Sequence, residues 1–198
     1  MIPETAGEED IMEKKSGVST KSIVLAGVFA AVTAVLSQIS VPLPSGVPVT
    51  MQTFAVALAA YVLGTKLGTL SIAVYVLLGA VGVPVFAGFS GGLGSLVGMT
   101  GGFIWGFILM AACCGYAASL KNPAVIIAMS LVGLALCHLP GVIQFAVVTD
   151  RGFVESFLLV SVPYLIKDVV SVALAWAAAK ALRKGLYAAN VLTREQTT

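Results

Sequence analysis

With 59% hydrophobic and only 10% charged residues in 198, and a mean hydropathy of +1.03, this chain carries more apolar surface than a soluble core of its size can hide. A formal charge of +2 excludes a polyanion binder of the nucleic-acid kind. Three cysteines, an odd number without ligand-like spacing, exclude a disulfide framework and a zinc site, so Cys113, Cys114 and Cys137 read as apolar thiols.

Residues 1–21 include GEEDIMEKKSGVSTK, acidic and then basic, and read as a soluble tail. The apolar run 22–41 that follows is too long and too far from the terminus for a cleaved signal peptide. Since about 20 apolar residues cross the hydrocarbon as a helix, six spans are expected, at 22–41, 49–63, 67–83, 100–120, 124–148 and 163–182. The expected organisation is all-α: a six-helix membrane domain over 22–184, followed by a cytoplasmic tail at 185–198.

In the first span Ala26, Ala30 and Ala34 recur every four residues, with Gly27 and Ala31 beside them. Small residues at that spacing let another helix approach closely, inside the chain or outside it. The connection after this span, VPLPSGVPV, holds Pro42, Pro44 and Pro48 and must run extended. Gln52 follows just inside the second span.

After the third span comes the Gly-rich GVPVFAGFSGGLGSLVGMTGG. It lacks the GK[ST] ending of a nucleotide-binding loop, and non-helical backbone at membrane depth survives only where it is buried by protein or lines a cavity. In the fifth span His138, next to Cys137 and the Pro140-Gly141 kink, reads as a histidine with a structural partner rather than a ligand. Between Arg151 and Pro163 the apolar residues Phe153, Val154, Phe157 and Leu158 fall at helical spacing in a segment too short to cross, so a lid-like surface helix is expected.

Pro163 suits the first turn of the sixth span. Lys167 and Asp168, one to two turns in, are the one charged pair embedded in an apolar stretch, and a charge there is costly unless it faces a cavity or a partner. The structural alternative is an ion pair at a helix end. Phe86, Phe89, Phe103, Trp105 and Tyr164 fall on the same side, where anchoring at the interface is the commoner role of Trp and Tyr.

Cations mark the orientation. Lys14, Lys15, Lys21, Lys66, Lys121, Lys180, Arg183, Lys184 and Arg194 all fall on one side of an even number of spans, which the positive-inside rule makes the cytoplasm. The opposite side has only Arg151, beside Asp150. The motifs of hydrolases, HExxH and GxSxG, are absent, so an enzyme is not expected.

The run 47–102 resembles the BioY family, the biotin-binding S-components of energy-coupling factor (ECF) vitamin transporters. VTMQT around Gln52, LGTKLG at the turn between the second and third spans, GVPVFAG, SGG and TGG carry the likeness. The resemblance implies a six-helix S-component with an outward-facing pocket in the plasma membrane. Biotin is its ligand, no cofactor is bound, and the partners are a transmembrane coupling subunit and two ATP-binding subunits.

In that reading Asp168 accepts from the ureido N–H groups. Gln52, Ser90 and the backbone at Gly91 and Gly92 add hydrogen bonds, while Phe86 and Phe89 form an apolar wall. Family members carry Gly-Asp at the start of the sixth helix and a Lys three residues after the Asp. Here Lys167 replaces the Gly and Ser171 stands where the Lys would be. The valerate carboxylate is then left to Lys167 or to backbone N–H groups of the Gly-rich loop. The resemblance also assigns Ala26 and Ala30 to docking on the coupling subunit. An S-component for thiamine or riboflavin, and a membrane scaffold, are the alternatives.

Overall fold

The computed structural model describes residues 19–192, so most of the tail at 1–21 and the end of the tail at 185–198 lie outside the described residues. The chain begins with α1 (Thr20–Ser37), whose N-cap Ser19 accepts a hydrogen bond from the Ser22 N–H at 3.2 Å. The helix stops at Ser37, short of the expected 41, because the chain turns extended at Ser40 to pair with the far side of the proline-rich connection. Strands β1 (Ser40–Val41) and β2 (Val49–Thr50) form a small antiparallel ribbon with Ser40 opposite Thr50 and Val41 opposite Val49. The second apolar run therefore becomes helical only from Gln52.

α2 (Gln52–Ala80) is a helical hairpin. Gly64 interrupts it at φ 79°, ψ −176°, a backbone conformation that favours glycine. Gln52 and Tyr75 are joined by a side-chain hydrogen bond of 2.8 Å, although 23 residues of straight helix would separate them by roughly 34 Å. The limbs pack so closely that a Cβ on Gly68 would lie 2.7 Å from the Ala60 Cα. These limbs, 52–63 and 65–80, correspond to the second and third expected spans.

A 3₁₀ turn (Ala87–Phe89) and the five-residue α3 (Leu93–Val97) carry the Gly-rich connection. α4 (Gly101–Ala117) and α5 (Pro123–Thr149) follow, the latter capped by the Asn122 side chain, which accepts from Ala124 N–H. α6 (Phe153–Val160) occupies the segment expected to form a short helix, and a 48° bend at Ser161 leads into α7 (Val162–Ala188). By length and composition α1 and α5 can each cross a membrane and the bent α6–α7 pair can form a further crossing, while the 29 residues of α2 are long and apolar enough in total but fold back at Gly64.

The first limb of α2 is the centre of the bundle, with Val56, Ala57, Ala59, Ala60, Val62 and Leu63 buried, and α2 packs on α1, α4 and α7. Ile23, Val28, Val147, Val154 and Ile166 point outward while Thr33, Ser71, His138 and Asp168 are buried. Apolar outside and polar inside is the pattern expected where lipid is the solvent.

Ala26 and Ala30 do not form an outer docking stripe. They are 4% and 1% exposed, and Ser71 donates to the Ala26 carbonyl at 2.8 Å. Their small side chains serve the packing of α1 on the core. Gly27 and Ala31, one position on, are the small residues that face outward, and no atom lies within 4 Å of where a Gly27 Cβ would be.

Candidate ligand-binding site

At the end of the bundle that carries the β-ribbon lies a cavity of about 480 Å³, a size suited to a small molecule. Six parts of the chain surround it: the proline-rich connection, the turn at Phe86–Ser90, the starts of α2 and α4, and α5 facing α7. The turn is pinned by a residue that the sequence did not single out. Gln38, after α1, donates from Nε2 to the carbonyls of Val85 and Phe86 at 3.2 and 3.1 Å and accepts from the Phe89 N–H at 2.9 Å.

The polar floor is built from α5 and α7. Asp168, 4% exposed, places Oδ2 3.1 Å from His138 Nε2 and pairs through Oδ1 with the Lys167 ammonium. Lys167 also donates to the Thr50 carbonyl at 2.9 Å, so its long side chain curls from the neighbouring helix position back over the carboxylate. His138 Nδ1 lies 2.9 Å from the Ser161 hydroxyl. A carboxylate only accepts, so Nε2 donates to Asp168, and in the neutral imidazole Nδ1 accepts from Ser161.

Asp, His and Ser in a row invite comparison with a hydrolase, but the Ser161 hydroxyl is sealed from the cavity at 0% exposure and acts to orient the imidazole. Pro140 and Gly141 fix where that imidazole sits. α4 crosses there so tightly that a Cβ on Gly102 would lie 2.1 Å from the Pro140 carbonyl oxygen, and the Phe103 ring meets His138 edge to face at 5.6 Å. Histidine beside Pro140-Gly141 was legible in the sequence, but its place at the cavity was not.

Gln52 lines the wall, with its amide held between Thr50 Oγ1 at 3.0 Å and Tyr75 OH at 2.8 Å. Tyr164 lines it too and donates to the Val47 carbonyl at 2.5 Å, which ties the proline-rich connection to α7. Phe86 forms an apolar face, 5.5 Å from Tyr75 in an edge contact and directly over Gly79, where a Cβ would lie 2.0 Å from the ring. Phe103, Ile104, Phe107 and Cys137 extend this face.

The structure brings Asp168, Lys167, Gln52, Ser90 and Phe86 to the cavity. Phe89 is not part of its wall: at φ 57° and 71% exposed it points away. Gly91 and Gly92 also lie outside the lining. A Cβ on Gly91 would lie 2.5 Å from the Val83 carbonyl oxygen, and the Gly92 N–H is given to Gly79 O at 2.6 Å, so these glycines seat the loop on the end of α2 and the turn that follows it. Their backbone is therefore not an open anion nest. Ser171 is buried one turn beyond Asp168 and outside the cavity, and Ser90 sits at the rim with its hydroxyl donated to Ala87 O at 2.9 Å.

Together these groups present an anionic acceptor, an ammonium donor, an imidazole and a side-chain amide against an aromatic wall. Among the described residues no three His, Cys, Asp or Glu side chains gather as a metal site.

The BioY family model matches residues 12–188. This chain belongs to the BioY family. A relative from Pyrococcus horikoshii, named "Probable biotin transporter BioY", is 42% identical over 80% of this chain and 93% of its own length. The "Biotin transporter BioY" of Thermotoga maritima is 49% identical over 62% of this chain and 72% of its own length. In fold, the chain resembles the crystal structure of the S-component for biotin from an ECF-type ABC transporter. That match has a TM-score of 0.74 and 23% identity, and it covers 83% of this chain and 91% of the other. The BioY-family chain thus has the S-component fold, with its hairpin α2 at the centre.

Proposed function

We propose that this BioY-family chain captures biotin in the cavity above Asp168 and delivers it as the S-component of an ECF-type transporter. The observation that carries the reading is the meeting of Lys167 and Asp168 at one carboxylate inside a largely apolar, aromatic-walled cavity. Opposite charges so close together suit a small group that offers N–H donors and a carbonyl acceptor side by side, which describes a ureido ring. They do not suit the two distant ends of an elongated ligand. Asp168 accepts from the ureido N–H groups, Lys167 donates to its carbonyl, and Phe86 and Phe103 cover the sulfur ring. The valerate chain then runs toward the mouth, past Ser90.

The same reading places α1, both limbs of α2, α4, α5 and α7 across the plasma membrane as six spans. The limbs are short, about 18 and 24 Å, and thin the local path rather than spanning it with length to spare. The basic end, with Lys66 and Lys121, faces the cytoplasm together with both termini. A coupling subunit and two ATP-binding subunits supply the energy, and this chain itself is not an enzyme.

Titration calorimetry on the purified protein with biotin, and with thiamine and riboflavin as competitors, tests the proposal. Selective biotin binding that is lost in Asp168→Asn supports it. Folded protein that ignores biotin but binds either competitor assigns the cavity to another vitamin, and indifference to all three leaves a scaffold.

A further inference from the structure

A second cavity, of about 370 Å³, opens at the other end of the bundle, where Lys121, Lys180 and Arg183 converge with Tyr61, Ile126 and Trp176. Lys180 follows Asp168 by 12 residues on α7, which sets the two sites about 18 Å apart along that helix. Among the described residues no Asp or Glu lines this cavity, and no ion pair involves its three cations.

The cations have different duties. Arg183 donates from Nε to the Val62 carbonyl at 3.1 Å and from Nη1 to the Ala118 carbonyl at 3.4 Å. Val62 lies in the last turn of the first limb of α2 and Ala118 caps α4, so the guanidinium serves the negative ends of two helices. The Lys180 ammonium rests 3.3 Å from the centre of the Trp176 ring, which fixes its position without neutralising it. Lys121 reaches the cavity from the exposed connection between α4 and α5.

We propose that this groove binds the phosphate headgroup of an anionic phospholipid in the leaflet on the basic side. Lys121 and Lys180 contact the phosphate, and Arg183 adds its charge from behind. Trp176 and Ile126 pack the glycerol and the first acyl methylenes. A lipid fits better than a free anion because the walls between the cations are apolar. Val125 and Leu182, next in sequence to the lining residues Ile126 and Arg183, are exposed apolar side chains. Basic pockets between membrane helices on the cytoplasmic side are recognised acceptors of anionic headgroups.

Native mass spectrometry of the full chain in mild detergent, offered equal phosphatidylglycerol and phosphatidylcholine with the same acyl chains, tests this. One retained phosphatidylglycerol per chain is expected, favoured about tenfold or more over phosphatidylcholine. The preference should collapse in K121Q/K180Q and survive in K66Q/K184Q, which removes equal charge outside the cavity. Arg183 is left intact because it holds two helix ends, and thermal melting confirms that each variant is folded. The single variants K121Q and K180Q are read in the same way if the double variant melts early.

Equal retention of both lipids by the parent protein would overturn the proposal, as would equal loss in both double variants, which means diffuse attraction. Lipid adducts unchanged by K121Q/K180Q would also overturn it and leave the groove to a partner chain. Displacement of the lipid by millimolar inorganic phosphate would reassign the site to a soluble anion. The readout is independent of biotin, so its failure does not touch the reading of the first cavity.

Discussion

His138 on α5 and Asp168 on α7 stand 3.1 Å apart, nitrogen to oxygen, across the boundary of two helices that otherwise share little contact. That bond orients the carboxylate toward the cavity, and Ser161 at the α6–α7 bend orients the imidazole in turn. His138→Leu removes a hydrogen bond to a charged group, worth about 1.5–3 kcal/mol. Biotin affinity is therefore expected to fall roughly 10- to 100-fold, read by calorimetry. Affinity within twofold of the parent would show that Asp168 needs no support from α5.

Lys167 and Asp168 form a pair whose loss on one side leaves the other charge stranded. Breaking a buried pair costs about 3–5 kcal/mol, the upper end applying to full burial. Since Lys167 is partly exposed, a smaller loss is expected. Each of K167Q and D168N should lower the unfolding temperature in detergent more than the double variant K167Q/D168N does. Additive losses would mean that the two charges do not depend on each other.

Phe86 and Phe89 are three residues apart and have different surroundings. Phe86→Ala removes a buried wall of the cavity and should weaken biotin binding by about 2 kcal/mol or more, some 30-fold. Phe89→Ala should change affinity less than twofold. Comparable effects from both would place Phe89 against the ligand.

Gly64 makes the α2 hairpin possible. Gly64→Ala keeps the side chain small and forces an alanine into a positive-φ, extended-ψ conformation open essentially to glycine, at a cost of about 1–3 kcal/mol. It should lower the midpoint of thermal unfolding while biotin affinity of the folded fraction is kept. An unchanged midpoint would mean that the turn can be made another way.

Most of the helix placement was legible because the chain alternates long apolar runs with clusters of proline, glycine and lysine. The start of α5 after Asn122 and the short α6 follow from local rules of capping and spacing. The end of α1 was less legible. Apolar residues continue to Val41, and only pairing with Val49, eight positions on, pulls the last of them into a strand. Hydropathy is blind to that partner.

Sequence also picked out Asp168, Lys167, Gln52, Ser90 and Phe86, each by its cost, its neighbours or its likeness to a family, and all five reach one cavity. It missed Gln38 and gave His138 no place there. A glutamine after the first apolar run and a histidine inside the fifth were the available signals, and neither reveals which neighbour it meets.

The amino-acid order by itself determined a membrane-type helical protein of the BioY family with a polar site near the start of its last helix, because apolar run length, charge placement and motif order are local properties. Only the tertiary structure decided that Ala26 and Ala30 face inward, that Phe89 points away, and that His138 completes the floor beneath Asp168. Those outcomes depend on the rotation of each helix about its own axis, and close packing at Gly68, Gly102 and Gly141 sets that rotation. Near-uniform apolar composition leaves no preferred face in the chain itself.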